Sequence, residues 1–194
     1  AAEACKPMLK KKTIVVPFLN GVETVDRLRK ILPKENIANG VAKVSTTIKA
    51  PGIIKQTGDF GTFIFAECDN RPSNRITALQ KAITKAGAFA PETTDIDKEM
   101  WSKFIMFSAI SGVTAAGRCT LGQVIRSTSL SKVFQKIISE TTATARAYGI
   151  DLSYSIEQDI WALVNKLPPD VRASTAVDLD KGLPLEVDWI SGAV

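Results

Sequence analysis

The order of apolar and polar residues near the start of the chain predicts a strand followed by a helix. Residues 13–19 are almost continuously apolar, which is typical of a strand buried on both faces of a parallel sheet. Residues 23–32 then place apolar side chains at helical spacing, and Pro33 ends that pattern. A strand, a loop and a helix in this order form the building unit of an α/β domain. Residues 1–11 are interpreted as the end of an earlier helix.

Shorter β-type segments come next and predict an antiparallel extension at a sheet edge. Their three strands are predicted over residues 40–48, 53–57 and 62–66, separated by glycine and proline. A helix is predicted over residues 73–86, with Ser73 as its N-cap and Gly87 just after its end. Residues 88–93 are predicted to form a last short strand.

From about residue 95 onward the pattern is helical. Asp95 and Asp97 are typical of a helix N-terminus, and we expect Asp97 to be the cap. The predicted helices cover residues 100–110, 131–148, 155–167 and 171–179, and one more begins at Glu186. The sequence therefore predicts an α/β part over residues 1–95 and an all-α part over residues 96–194. One strand–helix unit is too little for a stable parallel sheet, so we expect the chain to be a piece of a larger protein.

The composition excludes several kinds of chemistry. The chain has no histidine, which excludes Ser-His-Asp and Cys-His catalysis and histidine-bearing zinc sites. Three widely spaced cysteines indicate reduced thiols in a cytoplasmic protein rather than a disulfide framework or a metal site. We therefore expect no metal cofactor.

The charge pattern bears on the class of partner. The net charge of +5 is a mild excess, and the basic residues are not interleaved with aromatic ones as in a nucleic-acid groove. No apolar run approaches the roughly 20 residues that would cross a bilayer. We expect neither a nucleic-acid nor a membrane partner, and a small acidic molecule fits this charge equally well.

One lysine stands in an otherwise uncharged helix. Lys103 is the only charged residue between Met100 and Gly117, and apolar residues surround it on nearly every side of the helix. Such a helix is buried, and burial lowers the pKa of a lysine toward the range in which it can donate a proton. The alternative is that Lys103 lies near the start of the helix and extends its ammonium into water.

Three more polar residues are candidates for a site. Asn20 follows the first predicted strand at its carboxyl end, where ligands bind in open α/β sheets, although Asn-Gly is also a common turn. Glu186 opens the last predicted helix, a position that suits a carboxylate without any further role. Ser174 precedes it, in the fourth helix of the predicted all-α part.

A series of short motifs resembles the ketopantoate reductase (2-dehydropantoate 2-reductase) family. In chain order they are Asn20-Gly21-Val22, Pro51-Gly52-Ile53, Ala86-Gly87, Asp95-Ile96, Trp101-Ser102-Lys103, Thr114-Ala115, residues 140–149, Ser174 and Leu185-Glu186-Val187-Asp188. The resemblance runs through almost the whole chain. It implies the second half of a Rossmann-like NADP-binding domain, followed by an all-helical domain of the 6-phosphogluconate dehydrogenase C-terminal type, truncated at its end.

The resemblance also implies an activity and a set of site residues. It implies NADPH-dependent reduction of a 2-oxo acid, 2-dehydropantoate to pantoate in pantothenate and coenzyme A biosynthesis, by a cytoplasmic monomer or homodimer. Lys103 is the general acid, Glu186 contacts cofactor and substrate, and Asn20 lies at the nicotinamide end. Ser174 and Ser111 complete the substrate site. The glycine-rich phosphate turn of the family is missing from these residues, so we expect them alone to be inactive.

Two positions depart from the family pattern. The family has asparagine four and eight residues after its lysine, whereas this chain has Phe107 and Ser111. Phenylalanine has neither the donor nor the acceptor of an amide. The sequence therefore leaves the substrate open, and a non-catalytic or altered-substrate paralogue, acting as a binding or interaction domain, is the alternative function.

Overall fold

The computed structural model describes the backbone of residues 1–194 and the side chains of residues 1–58 and 61–194. Contacts divide the chain into two units. The first contains Ala1–Leu19 and Glu23–Glu99, and the second contains Asn20–Val22 and Met100–Val194. The short segment Asn20–Val22 therefore belongs with residues that follow it by eighty positions or more.

A long antiparallel hairpin forms the sheet of the first unit. Strand β1 covers Ala38–Ala50 and strand β2 covers Ile53–Glu67, joined by a turn at Gly52, whose φ is +77°. The two strands predicted over residues 53–57 and 62–66 are parts of the single strand β2. Between them the pairing with β1 shifts its register, from Val44 opposite Gly61 to Thr46 opposite Gln56. The glycines in this part of β2 mark an irregularity within a strand and not its end.

Three helices belong to the first unit. Helices α1 (Ala2–Cys5), α2 (Thr24–Arg29) and α3 (Asn74–Lys85) have these bounds, and 3₁₀ turns cover Lys6–Met8 and Lys34–Asn36. The Ser73 hydroxyl accepts a hydrogen bond from the backbone N–H of Ile76, and Gly87 has a φ of +90° directly after the helix. Both predicted ends of α3 are therefore confirmed.

The strands predicted over residues 13–19 and 88–93 are wrong, because each is reduced to one parallel bridge. Val15 bridges to Ile37, and Phe89 bridges to Thr62. In a parallel ladder the next donor would be the residue two positions further along, which is Pro17 in the first case and Pro91 in the second. Proline has no N–H, so neither ladder can continue.

The second unit is helical. Helix α4 covers Ile96–Ala116 and begins within the first unit, and it is followed by α5 (Leu121–Arg126), α6 (Thr128–Ala147), α7 (Ile156–Val164) and α8 (Ser174–Asp180). Helix α5 was not predicted from the sequence. It begins with a reciprocal capping box between Thr120 and Gln123. The helix expected from Glu186 is only a 3₁₀ turn over Val187–Trp189.

Helix α4 begins with a different cap from the expected one. The side chain of Asp95, not Asp97, accepts the hydrogen bond of the Lys98 backbone N–H, at 3.0 Å. Asp97 instead accepts a hydrogen bond from the Asn39 amide at 3.0 Å. Burial raises the pKa of the Asp97 carboxyl above its usual value.

The core of the second unit packs around α4. Its fully buried side chains come from α4, α5, α6, α7 and the end of the chain, and include Ile105, Leu121, Val124, Phe134, Ile138, Val164 and Ile190. The prediction that α4 is a buried helix is therefore confirmed. Among the residues that the structure describes, no helix is long and apolar enough to cross a membrane.

Candidate active site

Three polar side chains meet within the second unit. The Lys103 ammonium donates a hydrogen bond to Oδ1 of Asn20 at 3.2 Å, and Nδ2 of Asn20 donates one to Oε2 of Glu186 at 3.1 Å. A primary amide has an acceptor end and a donor end, and here the cation and the anion each take the end that suits their charge. We call Asn20, Lys103 and Glu186 the amide-bridged triad.

A glycine permits the approach of Asn20 to Glu186. Gly21 has a φ of +89°, and a Cβ placed there would lie 2.7 Å from the backbone oxygen of Trp189. Any other L-residue would have to move that carbonyl, which belongs to the 3₁₀ turn that Glu186 precedes. Glycine at position 21 therefore permits both the left-handed backbone conformation and the close approach to the Trp189 carbonyl.

Lys103 lies two turns into α4 and is half-buried. Besides its hydrogen bond to Asn20, its Nζ stands 5.2 Å from the centroid of the Phe107 ring, one helical turn further on. An acceptor oxygen and the face of an aromatic ring both favour the charged ammonium over the neutral amine. Both contacts are of the kind that a charged ammonium makes.

A second set of polar contacts joins α4 to the start of α8. The Ser111 hydroxyl donates a hydrogen bond to the Thr175 hydroxyl at 2.7 Å, and both side chains are buried. The Thr114 hydroxyl accepts one from the backbone N–H of Ala173 at 3.3 Å. These bonds fix the first turn of α8, and with it Ser174, against the same helix that carries Lys103.

The structure thus places the five predicted site residues in two groups. Asn20, Lys103 and Glu186 are brought together directly. Ser111 contacts Thr175, while its neighbour in sequence, Ser174, is exposed at the first position of α8. Residues 103, 107 and 111 are four apart and so share one face of α4, about 12 Å from end to end.

The sequence analysis did not predict the part that three residues of this region have. Thr175 was not among the candidates, and Gly21 was considered only as part of an Asn-Gly turn and a family motif. Phe107 was noted only as a missing amide, whereas its ring contacts the Lys103 ammonium. The spacing of four residues on a helix predicts that contact.

No metal centre is found in the part of the chain that the structure describes, since no three histidine, cysteine, aspartate or glutamate side chains are placed to hold an ion. The residues of the triad are an ammonium, an amide and a carboxylate. This donor set suits proton donation and the binding of hydroxyl or carbonyl groups.

A Rossmann-like first part followed by a helical part is the fold of the matching solved structures, and comparison with protein families identifies the family. Residues 1–70 match the ketopantoate reductase PanE/ApbA family, and residues 95–194 match its C-terminal part. The chain belongs to the ketopantoate reductase PanE/ApbA family.

Individual relatives agree with this assignment. The chain is 24% identical to the oxidoreductase YkpB of Bacillus subtilis (strain 168) over 190 residues, covering 98% of this chain and 63% of that protein. The crystal structure of a PanE/ApbA family ketopantoate reductase from Ralstonia eutropha JMP134 matches with a TM-score of 0.86 at 28% identity, covering 98% of this chain and 61% of that one. D-mandelate dehydrogenase in complex with NADH shares the fold at 21% identity, with a TM-score of 0.88 and coverage of 99% and 65%. The chain thus spans less than two thirds of the length of each of these proteins.

Proposed function

We propose that the protein containing these residues reduces a 2-oxo acid with hydride from NADPH, and that Lys103 is the general acid of the reaction. Within the family this activity corresponds to the conversion of 2-dehydropantoate to pantoate, a step toward pantothenate and coenzyme A. The observation that carries the proposal is the amide-bridged triad, in which the Asn20 amide is hydrogen-bonded both to the Lys103 amine and to the Glu186 carboxylate.

The proton donor follows from the charges that develop in such a reduction. A ketone that gains hydride at carbon develops negative charge on oxygen, and a nearby cation stabilises that charge and supplies the proton. Lys103 is the cation of the triad, and the chain offers no histidine for the task.

Asn20 and Glu186 fit a nicotinamide cofactor. When bound, that cofactor supplies the hydride. The amide of Asn20 holds the ammonium on one side and the carboxylate on the other, so its position is fixed before any ligand arrives. A carboxylate has two oxygens and about four acceptor sites, so Glu186 can receive Asn20 and still accept a hydroxyl of the cofactor ribose or of the substrate.

The two serines complete the proposed substrate site in different ways. Ser174 is exposed at the start of α8 and offers its hydroxyl to the substrate carboxylate. Ser111 already donates its proton to Thr175. Its part is therefore to hold the first turn of α8 in place, so that Ser174 keeps a defined position relative to α4.

Steady-state kinetics of the full-length protein test the proposal. NADPH oxidation would be followed with 2-dehydropantoate and a panel of other 2-oxo acids, beside the variant Lys103→Ala prepared in the same way. The proposal requires turnover of at least one acid by the parent, with a loss of about a hundredfold or more in the variant. A parent that oxidises NADPH no faster than an enzyme-free control with every acid would instead support the alternative, a non-catalytic member of the family.

A further inference from the structure

The contact between Lys103 and Phe107 bears on which 2-oxo acid is the substrate. The ring lies 5.2 Å from the ammonium that, in the proposed function, protonates the substrate ketone. A ketone that binds this ammonium can therefore place a group of its keto carbon against the ring. The ring is half-buried, so part of its surface is open to a ligand.

The next turn of the same helix face has no free donor to offer. Ser111 is 2% exposed, and its hydroxyl proton is directed to Thr175 at 2.7 Å. Between the ammonium and Ser111 the face therefore consists of a phenyl ring, which neither donates nor accepts a conventional hydrogen bond. A hydroxyl on the substrate side chain that faces this ring would lose its water and gain no hydrogen-bond partner from it.

We propose that Phe107 is a specificity-determining residue, and that it selects 2-oxo acids with an apolar side chain over acids with a hydroxylated one. The inference rests on the proposed function, because it assumes that Lys103 protonates the ketone. An apolar wall rejects an additional hydroxyl only moderately, and we expect a preference of about tenfold to a hundredfold.

A matched pair of substrates tests this directly. 2-Dehydropantoate and 3,3-dimethyl-2-oxobutanoate differ only in the hydroxyl of the side chain. In the full-length enzyme with NADPH, kcat/KM for the second acid should exceed kcat/KM for the first by about tenfold or more. This comparison uses the unmodified protein and needs no variant to fold.

Two substitutions then assign the effect to Phe107. Phe107→Asn introduces a donor and an acceptor, and should shift the ratio of the two kcat/KM values toward 2-dehydropantoate by about tenfold or more. Phe107→Leu removes the ring but stays apolar, so it should slow both acids while leaving their ratio within about threefold.

The outcomes separate the two proposals. Preference of the parent for 2-dehydropantoate, or an unchanged ratio in a folded Phe107→Asn enzyme, overturns the role of Phe107 and leaves the proposed function standing, because both acids turn over. Absence of NADPH oxidation with either acid and with benzoylformate overturns both.

Discussion

The side-chain amide of Asn20 donates a hydrogen bond to the Glu186 carboxylate at 3.1 Å, across 166 positions of sequence. The same amide accepts a hydrogen bond from Lys103. Rotation of this amide by half a turn would point its NH₂ group at an ammonium and its oxygen at a carboxylate, both of which are repulsive. The charges of Lys103 and Glu186 therefore fix the orientation of Asn20, and Asn20 in turn fixes their separation.

The first prediction concerns Gly21. Gly21→Ala should destabilise the full-length protein by about 2–5 kcal/mol, since it combines a strained left-handed backbone with an overpacked contact on the Trp189 carbonyl. Gly149→Ala is a matched control, because Gly149 also has a positive φ, +80°, but a Cβ there meets nothing within 4 Å. Chemical denaturation measures both variants. Equal losses would show that the approach to Trp189 contributes nothing.

A second prediction distinguishes the two aspartates at the start of α4. Asp95→Ala removes the acceptor of the Lys98 N–H and should cost about 1 kcal/mol of unfolding free energy. Asp95→Asn keeps a side-chain oxygen and should cost much less. Thermal melts of the two variants decide the matter, and equal melting temperatures would contradict the assignment of Asp95 as the cap.

A third prediction concerns the pH dependence of stability at Asp97. Burial raises the pKa of this carboxyl, and the nearby charge of Asp95 adds to the effect, while the Asn39 hydrogen bond opposes it. A folded state with the higher pKa binds its proton first as the pH falls, so the folded state gains stability relative to the unfolded one. The parent should therefore gain stability relative to Asp97→Asn as the pH is lowered from 7 toward about 4, the usual aspartate pKa.

Denaturation of the parent and Asp97→Asn over that range provides the measurement, with Asp170→Asn as the control at an exposed position. The control should show no comparable trend. A parent that loses stability relative to Asp97→Asn on acidification would mean that the carboxylate is stabilised in the folded protein, in conflict with its burial.

A fourth prediction separates the charge of Glu186 from its contact with Asn20. Glu186→Gln keeps an oxygen that can accept the Asn20 N–H, whereas Glu186→Ala removes it. In the full-length enzyme we expect Ala to lower kcat/KM by about tenfold to a hundredfold, the usual scale for a hydrogen bond to a charged group. Gln should lower it less. Steady-state kinetics with NADPH as the varied substrate measures both losses. A larger loss of kcat/KM in Glu186→Gln than in Glu186→Ala would show that the hydrogen bond to Asn20 has no function.

Local signals in the sequence were sufficient for most of the helices. Ser73 and Gly87 mark the two ends of α3 in the sequence, and the structure confirms both. Strand prediction was less successful over residues 13–19 and 88–93. Pro17 and Pro91 each lack the N–H donor that a parallel ladder needs at its next step, so the sequence itself limits both strands to a single bridge.

The candidate site depended on a different kind of information. Nothing in the local pattern around Asn20 and Glu186 requires the two to meet, and resemblance to a family supplied that pairing. The bond from Ser111 to Thr175 could not be predicted, because it depends on how α8 packs against α4. Phe107 shows the reverse case, since helical spacing alone places its ring one turn from Lys103.

The most direct measurement of the central claim is kcat of the full-length Lys103→Ala enzyme with NADPH and the best 2-oxo acid substrate, compared with that of the parent. Removal of a general acid typically costs a hundredfold or more, and the account predicts a loss of about that size in a variant that remains folded. A folded Lys103→Ala enzyme whose kcat stays within about threefold of the parent would contradict the account, because the proton would then reach the substrate from elsewhere.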